Sequence, residues 1–161
     1  MKIFAQALLC TLVLGLAACA PEENSGGGSK KKTIFDEKSV EIQSLSTPDS
    51  AYGLFQGPSE NEWSATIHSR IKITDRHLYQ AAHCEFTDGT SVFAQVRVEA
   101  VVDEGNQTIE VLESAEKTQR RKKDGMQYSC IVRVSAGSRF YSINDGVMTY
   151  NFQTYTKLND L

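Results

Sequence analysis

Two short stretches of this 161-residue chain gather the side-chain types from which chemistry is commonly built. In Ile73-Thr-Asp-Arg-His-Leu-Tyr-Gln-Ala-Ala-His-Cys84, the residues His77, His83 and Cys84 stand close together and Glu85 follows directly. Imidazole, thiolate and carboxylate all ligate zinc, but the spacing matches no zinc pattern, and adjacent His83 and Cys84 point to opposite faces of an extended chain. No metal is expected. Ser114-Ala-Glu-Lys117 has the Ser-x-x-Lys spacing in which an amine can deprotonate a serine, yet it stands in a charged segment without companion motifs. No Gly-x-Ser-x-Gly, His-Glu-x-x-His, phosphate-loop or dinucleotide-binding fingerprint occurs, so the sequence names no catalytic residue and no cofactor.

The other reactive groups are cysteines, and their neighbours decide what they do. Residues 1–18 carry Lys2, then an apolar run broken only by Gln6 and Thr11, then the small residues Ala17 and Ala18. That is the anatomy of a secretory signal, and the run is shorter than the ~20 residues a bilayer span needs. Leu16-Ala17-Ala18-Cys19 resembles the lipobox of bacterial lipoproteins. The resemblance implies cleavage before Cys19, acylation (diacylglyceryl and palmitate-type chains) on that residue, and anchoring in the cell envelope. Ala20 after the cysteine implies the outer membrane if the organism has one. A thiolate is the apt nucleophile for taking up such chains, and each buried methylene adds about 0.8 kcal/mol of membrane affinity. The membrane, reached through these chains, is the first expected partner.

Residues 19–32 then read as the lipidated cysteine and a flexible linker, since Pro21-Glu-Glu-Asn-Ser-Gly-Gly-Gly-Ser-Lys-Lys-Lys32 has no large apolar residue with which to offset its ordering entropy. Taut, 13 residues reach about 45 Å. The whole chain carries a formal charge of −3, and its mild acidity argues against a nucleic-acid partner.

Residues 33–161 make one β-rich domain, because their dominant signal is alternation. Ala65, Ile67, Ile71 and Ile73 share a face with Trp63, while Thr66, His68, Arg70 and Lys72 take the other. Residues 91–102 place Val92, Ala94, Val96, Val98, Ala100 and Val102 inward, and Asp103-Glu-Gly-Asn106 supplies a turn before a strand from Thr108. Met126, Tyr128, Cys130, Val132 and Val134 alternate likewise, and Asn144-Asp-Gly146 precedes a last strand, 147–156, with Met148, Tyr150 and Phe152 on one side. Strands this regular, separated by short turns, predict a mainly β fold: a single small antiparallel β-barrel or β-sandwich. Residues 75–85 are open to a short helix capped by Thr74 or Asp75, and 114–123 to a helix or a charged loop. Segments 39–45 and 52–55 are candidates for edge strands or for packing over an open end.

With Cys10 lost and Cys19 modified, Cys84 and Cys130 remain in an oxidising compartment and are expected to form a disulfide. Ala81-Ala82-His83-Cys84 resembles the segment around the catalytic histidine of chymotrypsin-like serine proteases, which implies a general base at His83. The nucleophile and oxyanion segment of that family are missing, and an enzyme is not expected. Arg120, Arg121, Lys122 and Lys123 form the strongest basic cluster, by default a solvated hairpin tip because like charges avoid burial, and otherwise a contact for lipid phosphates or an acidic partner. Ser135-Ala-Gly-Ser-Arg-Phe-Tyr141, followed by an aromatic strand and Lys157, resembles the C-terminal region of periplasmic inhibitors of C-type lysozyme, which implies binding roles for Ser138 and Arg139. Three functions follow as expectations. The leading one is a non-catalytic, membrane-anchored envelope lipoprotein that binds a protein, glycan or lipid partner. The others are a carrier of a small apolar ligand in an unfilled barrel, and an enzyme inhibitor.

Overall fold

The computed structural model describes residues 33–36, 49–62 and 64–158, all within one compact unit, Lys31–Leu161. The signal segment, Cys19, the linker, residues 39–45 and Trp63 lie outside the described residues. Ten strands follow in order: β1 Gly53–Glu62, β2 Ala65–Ile73, β3 His77–Phe86, β4 Ser91–Asp103, β5 Thr108–Val111, β6 Ala115–Lys123, β7 Met126–Val134, β8 Gly137–Asn144, β9 Val147–Tyr150 and β10 Gln153–Lys157. Eight of them close an antiparallel barrel in the ring order β1-β10-β9-β8-β5-β4-β3-β2, and β6-β7 is a separate two-stranded ribbon. Since β5 and β8 pair directly, the ribbon is an excursion that leaves and rejoins the wall at one point.

The barrel forms because the alternating faces have one place to go. Phe55, Ile71, Ile73, Leu78, Ile109 and Met148 are fully buried in its interior, and each such side chain contributes roughly 1.5–3 kcal/mol relative to exposure. The inward row of β4, Val92 to Ala100, is buried as its alternation predicts. β4 meets its two barrel neighbours along different stretches: residues 91–99 pair with β3, whereas β5 joins only at Ala100 to Asp103. The ribbon occupies what this leaves open. Cys130, Val132 and Val134 of β7 join Cys84, Val92, Ala94 and Val96 in the same core cluster, and a disulfide links Cys84 to Cys130 as expected.

Three sequence expectations need correction. No helix occurs among the described residues: 77–86 and 115–123 are both strands. The expected single last strand is two, β9 and β10, joined by a two-residue turn at Asn151 and Phe152. Phe152 is consequently fully exposed instead of sharing the buried side of Met148 and Tyr150. Between barrel and sandwich, the ring closes, with a short seam: β1 is in register with β10 at Phe55↔Lys157 and Gln56↔Thr156, and the Leu158 N–H donates to the Leu54 carbonyl at 2.8 Å beyond them.

Candidate functional site

The outer face of β1–β4 carries two cross-strand rows. A bulge between Gln56 and Ser59 bends β1 and shifts its register on β2, so that Ser59 comes opposite His68; the regular ladders of β2–β3 and β3–β4 then set His68 opposite His83 and His83 opposite Phe93. The bulge starts at Gly57, where a Cβ would lie 2.8 Å from the buried ring of Tyr155. In the first row Ser59 Oγ lies 2.7 Å from His68 Nδ1, and Glu85 places one carboxylate oxygen 3.5 Å from His68 Nε2 and the other 3.5 Å from His83 Nε2. The His83 ring stacks on Phe93 with centroids 3.9 Å apart. At its distance from Glu85, the buried Nε2 of His83 makes no hydrogen bond.

The second row, Gln56, Arg70, Ala81 and Gln95, receives residues 33–36 as a latch. Ile34 is buried against Leu54 and Ala81, and its N–H donates to Gln95 Oε1 at 2.8 Å. Arg70 Nε donates to Gln56 Oε1 at 2.7 Å while its Nη1 donates to the carbonyls of Ile34 and Phe35, and the guanidinium sits 4.9 Å from the Phe35 ring centre. Phe35 in turn lies edge-on to both His83 and Phe93. The domain thus receives the incoming chain on the β2–β4 wall.

Burial lowers the pKa of His83, with Glu85 opposing the shift and His68 adding to it. A histidine with a depressed folded pKa binds fewer protons folded than unfolded, so its contribution is complete above the unfolded value of 6.5 and declines as pH falls below it. We expect acidification from about pH 7.5 to about pH 5 to lower the denaturation midpoint and to reduce the protection of the Ile34 amide, measured against the intrinsic exchange rate at the same pH, because that amide is protected only while the latch is docked. His83→Phe should flatten that pH response. An unchanged acid slope in the variant would show that the decline arises elsewhere.

Serine, histidine and carboxylate in line have the parts of a proton relay, but acyl transfer also needs donors converging on a developing oxyanion. Ser59 lies on an open sheet face, with its hydroxyl engaged by His68. His83, the histidine singled out by the protease-like segment, lies under Phe35 and Phe93. Cys84 points to the other side of β3, into the disulfide. Ser114 Oγ accepts the N–H of Ala136. Among the described residues no group of three His, Cys, Asp or Glu side chains is placed to hold a metal.

The basic cluster divides between the ribbon's two faces. Arg121 and Lys123 share the side of Tyr128 and Cys130: Arg121 Nη1 donates to the Ser91 carbonyl, and Lys123 Nζ lies 3.6 Å from Asp88. Tyr128 also donates to Asp88 at 2.7 Å, a bond that holds this carboxyl below the usual range. Arg120 and Lys122 take the opposite, solvent side, in register with Ser129 and Gln127.

Ser138 and Arg139 lie elsewhere, on β8. Ser138 is exposed, whereas Arg139 donates to Asn151 Oδ1 and to the carbonyls of Ser135 and Gly137, tying the ribbon's exit to the β9–β10 turn. Beside it is an open cleft of about 470 Å³ whose lining includes Phe140, Ser142, Thr149 and Phe152. Sequence reasoning missed both phenylalanines as surface groups. The relevant signal was the turn chemistry. Three two-residue hairpin loops have positive φ at both positions, and two of them use the preferred Asp-Gly pair, Asp124-Gly125 and Asp145-Gly146. The third uses Asn151-Phe152, and Phe152 has φ 66° where glycine would be relaxed. In ring order β8 and β9 stand opposite β2 and β3, so this aromatic cleft and the latch occupy opposite walls. No family model, no curated protein and no solved structure matches this chain.

Proposed function

We propose that the chain is a membrane-anchored envelope lipoprotein, held by acyl chains on Cys19, whose barrel is a non-catalytic module that binds a protein partner through the wall carrying Phe140 and Phe152. The lipobox-like leader supports the anchor. Support for export comes from the Cys84–Cys130 bond, since disulfides persist in oxidising compartments. The filled interior favours the outer surface as the binding element over carriage of an apolar ligand within the barrel.

The observation that carries the binding reading is Phe152. A bulky residue in the left-handed region costs roughly 1–2 kcal/mol, and this one gains no burial in return, being fully exposed beside a largely exposed Phe140. Such a ring contributes energy only when a partner covers it, and aromatic anchors of this kind dominate interfaces. Phe152→Gly should therefore raise the stability of the isolated domain by about 1 kcal/mol while weakening partner binding by at least tenfold. The test pairs urea denaturation of the variant with crosslinking of the intact lipoprotein in its native envelope. A destabilised variant would mean that the ring has a structural task, and an identical crosslinking pattern would mean that the face is unused.

Inhibition of a C-type lysozyme is the second reading. The segment resembling those inhibitors forms β8, and its Arg139 and Phe140 line the same cleft as Phe152. Titrating lysozyme with excess barrel domain separates the two, because full enzyme activity leaves only the general binding role.

A further inference from the structure

The ribbon concentrates charge against the balance of the molecule. Residues 115–134 hold six basic side chains (Lys117, Arg120, Arg121, Lys122, Lys123 and Arg133) against two acidic ones (Glu116 and Asp124), a charge of +4 in a chain of −3. The remainder therefore carries −7. We propose that the solvent face of the β6–β7 ribbon is a docking surface for anionic phospholipid headgroups.

The two faces of the ribbon have different tasks. Its inner face is fixed by the disulfide, by the Tyr128–Asp88 hydrogen bond and by the reach of Arg121 and Lys123 to the β3–β4 turn. That fastening presents the other face as a stiff plate. Arg120 and Lys122 lie on it without an acidic partner among the described residues, and Arg133 there is paired with Glu116 at 2.7 Å. Ile131 shares this face, half exposed, whereas Met126, exposed at the tip, is paired with Lys123 and belongs to the fastened side. Cations flanking an exposed apolar side chain suit the headgroup boundary, where charge meets phosphate and Ile131 enters the acyl margin.

Several features favour a lipid surface over a macromolecular partner. The plate is small, two strands of nine residues each, and a bilayer demands no shape complementarity. The latch delivers the preceding chain to the outer side of β2–β4, while the ribbon lies on the inner side of β3 and β4, so both belong to one lobe. If Cys19 is acylated, 13 residues of tether keep that lobe within about 45 Å of the bilayer. The acidic remainder is repelled by the same surface. The barrel would then stand on its ribbon.

The inference can be tested without the anchor, because Lys31–Leu161 is one compact unit with its own core. Residues 31–161 are incubated with vesicles of phosphatidylcholine alone or with about 30 mol% phosphatidylglycerol, at low and physiological salt, and co-sedimentation is measured. The domain should bind the anionic vesicles, more weakly as salt rises, and leave the neutral ones. Each cation near such a surface is worth roughly fivefold in partitioning, so Arg120→Ala/Lys122→Ala should weaken binding by about 25-fold with an unchanged circular dichroism spectrum. Arg97→Ala, which removes an exposed cation from the outer face of β4, should have little effect. Equal binding to both vesicle types, no binding at low salt, or equal losses in the two variants would each overturn the proposal. So would binding of a heparin fragment through Arg120 and Lys122 without any binding to anionic vesicles. None of these outcomes depends on whether Cys19 is lipidated.

Discussion

Replacing both disulfide cysteines, as Cys84→Ala/Cys130→Ala, is expected to lower the stability of the domain by about 4 kcal/mol. The bond joins residues 46 apart in sequence, and closing a loop of that length removes that much chain entropy from the unfolded ensemble. At about 4 °C per kcal/mol for a domain of this size, the melting temperature should fall by roughly 15 °C. The loss has a direction as well as a size. β6 and β7 pair only with each other, so the bond is the one covalent link between ribbon and barrel other than the chain itself. Amides of 115–134 should gain exchange before those of β1–β3, and salt-sensitive binding to anionic vesicles should weaken as the plate loosens. Calorimetry and hydrogen exchange read the two effects. A melting temperature within a few degrees of the parent would show that ribbon packing alone holds it.

What could be read from the sequence was decided by how many faces of each strand are buried. β4 shows clean alternation because its inner row meets the core while Phe93, Gln95, Arg97 and Glu99 lie on the outer side. β3 resisted the same reading because the latch covers part of its outer face. Ala81 is buried under Ile34 and Ala82 is buried in the barrel, so two adjacent small residues break the alternation and resemble a helical turn. β6 failed for the opposite reason. Even its core-side positions, Lys117, Gln119 and Arg121, are exposed, and a strand without a buried row has no period to detect. The final hairpin was hidden by coincidence: Met148, Tyr150 and Phe152 keep a period of two straight through a reversal of the chain.

Surface sites followed the same division between residue type and register. Arg120 to Lys123 announced themselves as a charge run, but their sorting into a fastening pair and a free pair depends on pairing with β7. Ser138 and Arg139 were identified by type, whereas the neighbours that give the place its character, Phe140 and Phe152, needed the turn geometry. Ser59 and His68 meet only because the bulge beginning at Gly57 resets the register of β1, which no local pattern announces. The Cys84–Cys130 pair was the exception. Cysteine number and the expected compartment alone left one pairing.

The second large effect belongs to the barrel's seam. Phe55→Ala should cost about 3–5 kcal/mol, the range for deleting a buried aromatic ring, because Phe55 is fully buried and the wall around it is poorly placed to collapse. It stands at one of the two residue pairs that close β1 onto β10, and its ring lies 5.5 Å from the ammonium of Lys157, its partner in that register. Burial lowers the pKa of Lys157, whose Nζ donates to the Ser50 carbonyl at 2.9 Å. Removing the ring therefore leaves a cavity and strips apolar cover from a buried cation at the same point. Phe55→Leu, which keeps most of the volume, should lose less than half as much. Urea denaturation of both variants measures the sizes, and exchange at Phe55, Gln56, Thr156 and Lys157 shows whether the seam opens ahead of the rest. Because β10 is joined to β9 by the Asn151-Phe152 turn, a seam that opens would also displace the aromatic cleft, so partner binding should fall with Phe55→Ala although Phe55 faces the interior. Equal destabilisation by alanine and leucine, or uniform exchange across all ten strands, would show that closure does not rest on this pair.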